Sequence, residues 1–558
     1  MPFKLAITIA GAVSLGAYEA GVLYEIVDAI SQHNNSLPED SSDRIIIDVL
    51  TGASAGGMSA AVLAQKLLYD ADTLSGPYEN ALYRVWVQDL DYDSLMTLQA
   101  DEDPSHSIFS SDFIDTVSKK YLTGRFSTPG PPAQKHHPAA ADHIRLGLAL
   151  SNLNGVDYQY DLRPAGKFTY TRFQDQKEAL LQAADDSGEV WEPLRKAAVS
   201  CGAFPFAFRV RSLTRNQSEY DQVNLAPDQF PGSAPTFTYT DGGTFQNQPL
   251  GFAKNLVDKE DPTHRETESR FYMFISPHDK TSDANRTFNE AQGNFLNLTT
   301  GLVGAVFNQA GFQDWILAES INDKVRLFDA RAMQLFEALM NGLDPGPLLA
   351  AADSLLPGLI TGADREAAYG RLQQQFQPQF NALSALQYNG FRSANAFIRS
   401  ILVLETAADL GERDVMAIYG ITANSSELAG AALQAFLGFF SQEYRDHDYD
   451  VGRTKAQEFL LGKAGQPSVL GTPGNLPAIH YTPTKIRDID ETLNGLQLKN
   501  VPLELRHEMM ERLEERANDL MKEAKLGPIV REGVKVFVVR KELKKALEIP
   551  DEPEEIFS

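Results

Sequence analysis

Two short stretches of this chain hold residues whose types and spacing could do chemistry. The first is Gly52-Ala53-Ser54-Ala55-Gly56. A serine with glycine two positions away on each side suits a sharp, strained turn, because only small neighbours let the entering and leaving chain pass that closely. Such a turn lifts the Oγ clear of the backbone and makes Ser54 a candidate nucleophile. The second is Asp241-Gly242-Gly243, which follows the alternating run TFTYT. It places a carboxylate at the end of a strand, where ligands bind in open α/β sheets. Each stretch has a plainer explanation. Five residues with two glycines also make an ordinary β–α turn, and Asp-Gly-Gly is a common turn in which Asp bonds its own backbone. Taken alone, neither stretch establishes a catalytic site.

The elements around Ser54 fit the nucleophile reading. Ile45–Leu50 is a short β-branched run that reads as a buried strand, and the small apolar residues Met58–Leu68 read as a helix. Strand, G-x-S-x-G and helix, in that order, form a nucleophile elbow. The helix N-terminus then aims free N–H groups at the reacting oxygen. A similar unit opens the chain. Phe3–Ala10 is a strand, Gly11-Ala12-Val13-Ser14-Leu15-Gly16 is a turn, and Ala17–Ile30 is a helix. Beside the elbow, this turn would offer backbone donors to an oxyanion. Taken alone it is an ordinary β–α connection. Further strands are expected at Arg145–Leu150, Thr236–Thr240 and Phe271–Ser276, and a helix at Glu189–Ser200. The stretch 99–142, dense in Pro and Gly, reads as a long, lid-like surface loop. None of the ten histidines has an evident partner context. His136-His137 lie in a Pro-rich loop and His278 follows a strand, so a His-based triad stays open but is not favoured.

Composition narrows the setting. A net charge of −25 argues against nucleic acid as a partner and against indiscriminate binding to anionic membrane. The single cysteine, Cys201, excludes a disulfide framework and reads as a small buried hydrophobe. No signal peptide and no stretch of 18 apolar residues is seen, so the expected location is the cytoplasm, with peripheral membrane contact. From Asn294 the pattern turns helical: Phe295–Gln309, Gln313–Ile321, several segments to Leu410, and an apolar core helix at Leu428–Phe440 capped by Asn424. EYRDHDYD at 443–450 is expected to return to solvent, Gly462–Pro483 to be a linker, and Leu503–Lys525 a helix with Met509 and Leu513 on one face. A strand-like run, Val534–Val539, follows. The basic residues Lys522, Lys525, Arg531, Lys535, Arg540, Lys541, Lys544 and Lys545 are the densest positive stretch. They read as a solvated face, or as a docking patch for anionic lipid.

Four anchors together resemble the patatin-like phospholipases: Gly11–Gly16 with its helix, Gly52–Gly56, Ala198–Phe208 (AVSCGAFPFAF) and Asp241-Gly242-Gly243, with Asn247 and Pro249 after the last. The resemblance covers about residues 1–330, and EYRDHDYDVGR is similar to bacterial relatives carrying a helical extension. It implies an α/β fold, a three-layer α/β/α core with a mainly helical C-terminal extension. The expected organisation is a catalytic domain over 1–330 and a helical extension packed on it over 331–461, followed, from composition, by a linker over 462–483 and a small helical, basic region over 484–558. It implies a Ser54–Asp241 dyad with no catalytic histidine, no metal and no cofactor. Gly11, Ala12 and Val13 would supply the oxyanion hole, supported by Gly16, Gly52, Gly56, Gly242 and Gly243. The substrate would be a phospholipid or acylglycerol ester. A dyad needs a base stronger than a solvated Asp, which burial in an apolar cleft would supply. The first anchor departs from the family's glycine-rich, basic pattern: Val13 resists positive φ and Leu15 removes a basic side chain. Acyl transfer through the same dyad, and a lipid-binding protein with a degenerate site, are the competing readings. The oligomeric state is not read from the sequence.

Overall fold

The computed structural model describes residues 2–550 except 104–105, 124–135, 163–165, 221–223, 228, 231, 261–268, 279–289, 291–294, 408–417, 432–434, 464–465, 473–474 and 524–539. Packing divides the chain into two units. The first comprises Met1–Ala253, Tyr272–Asp314 and Tyr419–Ser558, and the second Lys254–Phe271 and Trp315–Ile418. The boundaries of these units do not coincide with the positions 330 and 461.

The first unit is built on a mixed eight-stranded sheet. Its strands are β1 (Phe3–Ile9), β2 (Ile45–Gly52), β3 (Ala140–Leu162), β4 (Gly166–Gln182), β5 (Arg211–Thr214), β6 (Thr236–Asp241), β7 (Arg270–Ser276) and β8 (Ile418–Thr422). They lie in the order β5-β6-β3-β2-β1-β7-β8, with β4 paired to β3. β1, β2 and β3 run parallel. Their near-continuous runs, such as IIIDVL, are buried on both faces, as parallel strands covered by helices require. The chain therefore has the expected α/β fold. Four helices of this unit matter below: α1 (Gly16–Asn35), α2 (Ser54–Tyr69), α3 (Ser111–Leu122) and α4 (Gly188–Cys201). The helix α3 lies within the stretch expected to be loop.

The register of β3 places the chemistry. Gly52 at the end of β2 pairs with Leu148, and Asp241 at the end of β6 pairs with Leu150. One strand thus brings two remote turns to the same level, two residues apart. Because β6 runs antiparallel to β3, its C-terminal end is not one of the parallel carboxyl ends that the ligand rule describes. Asp241 reaches the site by descending toward it.

The segment EYRDHDYD is not solvated. It lies in helix α5 (Gln442–Leu461), which packs on α1 through mutual glycines. A Cβ at Gly21 would stand 2.1 Å from the Tyr449 carbonyl, and one at Gly452 would stand 2.1 Å from the Tyr18 carbonyl. The helix buries charges because each has a partner. Arg453 meets Glu25 at 2.6 Å, Arg487 holds Asp446 and Asp450, and Asp448 accepts the N–H groups of Ala429 and Gly430. The apolar run 428–440 is also not one helix. It contains a 3-10 turn at Leu437–Phe440, preceded by Ala435 at φ 65. Within the stretch read as a linker, Gly462–Lys463 pairs with Gln466–Pro467, Leu476 is buried, and His480 stacks on His33.

The second unit has its own apolar core, in which Leu372, Phe397 and Ile401 are fully buried. The two helices expected from Phe295 are one, Phe295–Met340; an isolated Gly311 costs a helix only about 1 kcal/mol. At the C-terminus, Leu503–Glu523 is helical with Met509 buried. Lys525, Arg531, Lys535 and the run Val534–Val539 lie outside the described residues. Within the same basic stretch, Lys522 pairs with Asp519 and Arg540 with Glu514.

Candidate active site

Ser54 sits at φ 52, a left-handed conformation uncommon for a residue with a side chain. Glycines on both sides permit it. A Cβ at Gly52 would lie 2.3 Å from the Gly56 carbonyl oxygen, and one at Gly56 would lie 2.2 Å from that of Ala10. The residue before α2, Ala53, has no side chain to cap the helix N-terminus at Ser54.

The Ser54 hydroxyl donates to Asp241 Oδ2 at 2.6 Å. The other carboxylate oxygen accepts the Gly243 N–H at 2.7 Å. Asp241 is fully buried, and loss of solvation pushes its carboxyl up to about 7, against the pull of those two hydrogen bonds. A group titrating there can accept a proton near neutral pH. The remaining glycines are spacers. A Cβ at Gly242 would strike the Ala149 carbonyl at 2.0 Å, one at Gly16 would strike the Trp86 ring at 2.6 Å, and one at Gly243 would strike Asn247 Oδ1 at 2.5 Å.

The turn Gly11–Gly16 lies against Ser54: a Cβ at Gly11 would stand 3.1 Å from Ser54 Cβ. Val13 adopts φ 52 despite its branched side chain. The expected trio of donors is reduced, because the Gly11 N–H is spent on the Asn247 carbonyl at 3.0 Å. Among the described residues, the N–H groups of Ala12 and Val13 are given to no carbonyl. The turn is anchored from far along the chain. The Ser14 hydroxyl donates to the Ala435 carbonyl and accepts the Gly438 N–H at 3.1 Å.

Ser54 opens on an apolar cleft walled by Val13, Met58, Trp86, Leu90, Val199, Phe208 and Phe439. Trp86 is fixed by donating its indole N–H to Ser59, and Arg211 at the rim is tied to Asp115 at 2.6 Å. Among the described residues, no histidine lines this cleft. His137 is half-buried elsewhere, and loss of solvation pushes its imidazole down to about 4. The Cys201 thiol is buried under Gly57, with its pKa raised by the same loss of solvent. Among the described residues, no group of three or more His, Cys, Asp or Glu side chains is placed to hold a metal ion.

Residues 7–254 match the model of the Patatin-like phospholipase family. This part of the chain is a patatin-like phospholipase domain. The domain belongs to a family of lipid acyl hydrolases. Two curated relatives are each 25% identical over alignments covering 49% of this chain. One is the uncharacterized protein y4iI of Sinorhizobium fredii, and the other the uncharacterized membrane protein Rv3479 of Mycobacterium tuberculosis. The alignments span 49% and 27% of those proteins' lengths, so the chain spans about half or less of the relatives it matches. Among solved structures, VipD from Legionella pneumophila aligns over 98% of this chain and 85% of its own, with 11% identity and a TM-score of 0.24. No helix among the described residues is long and apolar enough to cross a membrane.

The patatin-like domain does not supply the whole cleft. Phe439 and the partners of Ser14 lie outside residues 7–254. Sequence reasoning missed them because it read 428–440 as an ordinary core helix. The nearest signal was two glycines, Gly430 and Gly438, in an otherwise apolar run. Trp86 was also missed, since nothing local marks it.

Proposed function

We propose that this chain is a serine lipid acyl hydrolase acting on carboxylic esters through Ser54 and Asp241. The observation that carries the reading is the buried 2.6 Å contact between the two side chains at the floor of an apolar cleft. Ser54 Oγ attacks the ester carbonyl carbon while Asp241 Oδ2 takes its proton. The Ala12 and Val13 N–H groups receive the tetrahedral oxyanion. One such donor is worth about 3 kcal/mol in other serine enzymes. Asp241 then returns the proton to the departing alkoxide, leaving an acyl-enzyme on Ser54. Water, deprotonated by Asp241, releases the carboxylic acid and restores the serine. The apolar walls suit a fatty acyl chain, and their exclusion of water keeps the carboxylate basic.

A fluorophosphonate probe tests the reading directly. The wild-type chain is expected to take one label, located at Ser54 by peptide mapping. Ser54→Ala is expected to take none and to lose ester hydrolysis by at least about a thousandfold, while keeping its thermal midpoint. Labelling elsewhere, or hydrolysis retained within about tenfold, defeats the assignment.

A further inference from the structure

The turn 436–440, FLGFF, belongs to no part of the family match, yet it is wedged into the cleft. Phe439 lines the cavity beside Ser54. Its ring and that of Phe436 join Phe109, with centroids at 6.5 and 5.9 Å, and Phe436 meets Phe204 edge-on at 5.2 Å. The turn is held by polar groups rather than by packing alone. Arg445 is buried and donates to the carbonyls of Gly438, Phe439 and Val87 at 3.0 to 3.1 Å. Burying a guanidinium is costly unless its donors are satisfied. Here they are spent on fixing the backbone that presents Phe439. On the other side, Ser14 ties the same backbone to the turn beside Ser54. Gly438 is required for that contact, since a Cβ there would stand 2.6 Å from Ser14 Oγ.

We propose that this turn is the acyl-selecting wall of the cleft and that Phe439 sets the length of fatty acyl chain accepted. The proposal rests on reading Ser54 as the nucleophile of a lipid ester. A rigidly backed aromatic ring limits a chain sterically. Removing it lengthens the cavity along the chain without touching the groups that react. In an apolar pocket each added methylene is worth tenfold or more in discrimination, roughly, so a change of a few carbons is readily measured.

The experiment uses the full chain and p-nitrophenyl esters from four to sixteen carbons. For Phe439→Ala the ratio of kcat/KM on the twelve-carbon ester to that on the four-carbon ester is expected to rise about tenfold or more. For Phe439→Trp the same ratio is expected to fall. Displacement of a fluorescent fatty acid, measured on the Ser54→Ala background, supplies a second readout that needs no turnover. There, Phe439→Ala is expected to shift the best-bound chain to greater length. Unchanged chain-length profiles in hydrolysis and in fatty-acid binding overturn the proposal while leaving the nucleophile assignment intact. Wild-type hydrolysis of none of the esters would count against the nucleophile assignment instead, and the binding series alone then decides whether Phe439 limits an acyl chain. If Phe439→Ala does not fold, Phe439→Trp carries both measurements.

Discussion

Two strained turns meet at this site, and they are held in different ways. The turn at Gly52–Gly56 is self-contained. Ser54 adopts φ 52 because the glycines beside it let β2, α2 and the end of β1 close to within van der Waals contact. The turn at Gly11–Gly16 reaches the same φ at Val13 without a glycine there. Its support comes from Asn247, through the Gly11 N–H, and from Ser14, through Ala435 and Gly438 more than 400 residues away. A strained residue persists only where its surroundings over-determine it. One turn meets that demand with local composition, the other with long-range contacts. The nucleophile turn is therefore legible in five residues, and the other is not.

The largest expected effect sharpens what the first turn is for. Asp241→Asn should lower kcat/KM nearly as far as Ser54→Ala, about a thousandfold, because nucleophile and base act as a unit. In the wild type, kcat/KM should fall about tenfold per pH unit below a limb near 7, where Asp241 becomes protonated. The same group predicts an opposite trend in stability. Folded Asp241 titrates near 7 and an unfolded Asp near 4. The folded state thus keeps a proton that the unfolded state has released, and this contribution is full below about 4 and lost as pH rises through 7. Asp241→Asn should accordingly melt about 2 °C or more above the wild type at pH 8, with the gain vanishing at pH 4. A melting point lowered equally at both pH values would show that the carboxylate is not held against burial.

Breaking the close approach should come next. Gly56→Ala puts a Cβ 2.2 Å from the Ala10 carbonyl. Since that neighbour is backbone, the expectation is a loss of about 3 kcal/mol or more, seen as a lower denaturant midpoint. A variant as stable as wild type would mean the turn is looser than its glycines suggest.

The second turn is expected to fail more gently. Ser14→Ala removes both tethers to the 435–438 backbone, leaving the Gly438 N–H unpaired. It should lower kcat on a four-carbon ester about tenfold, with KM nearly unchanged, and cost about 1 to 3 kcal/mol of stability. Equal effects on kcat and on KM would argue for a general loosening instead of a displaced donor. The smallest effect is expected at Val13. Glycine reaches φ 52 freely, so Val13→Gly should leave the melting point within about 3 °C of wild type, although it removes a half-buried side chain from the cleft wall. A large loss would show that the Val13 side chain, not the tethers, holds the turn.

A second buried carboxylate guards against reading function from electrostatics alone. Burial pushes Asp448 up to about 7, as it does Asp241, and both accept backbone N–H groups. Asp448 faces the Ala429 and Gly430 backbone, whereas Asp241 faces a hydroxyl at a cleft. The perturbation is the same, and the neighbour decides the chemistry. That neighbour is invisible in the sequence for both residues.

What the sequence determined by itself are the features written in local pattern. The strand–turn–helix around Ser54, the parallel strands Phe3–Ile9 and Ile45–Gly52, the helices following them, and the α/β class all follow from period, small residues and β-branching over windows of about 10 to 20 residues. The nomination of Ser54 came from the same kind of local signal, and that of Asp241 from the family resemblance carried by the anchors together. Tertiary structure alone decided the rest. Strand β3 sets Gly52 and Asp241 two residues apart, and the Asn247 carbonyl takes the Gly11 donor. The charged run at 443–450 reads as a solvated surface, but Arg487 from a separate segment pairs with Asp446 and Asp450, and most of the run is buried. The apolar run 428–440 reads as a helix, but the tethers to Ser14 and Arg445 bend it into the wall of the cleft. In each case a deciding partner lies outside the local window, from 37 residues away for Arg487 to 424 for Ser14, and periodicity carries no information about which remote group will satisfy a buried charge or bend a chain.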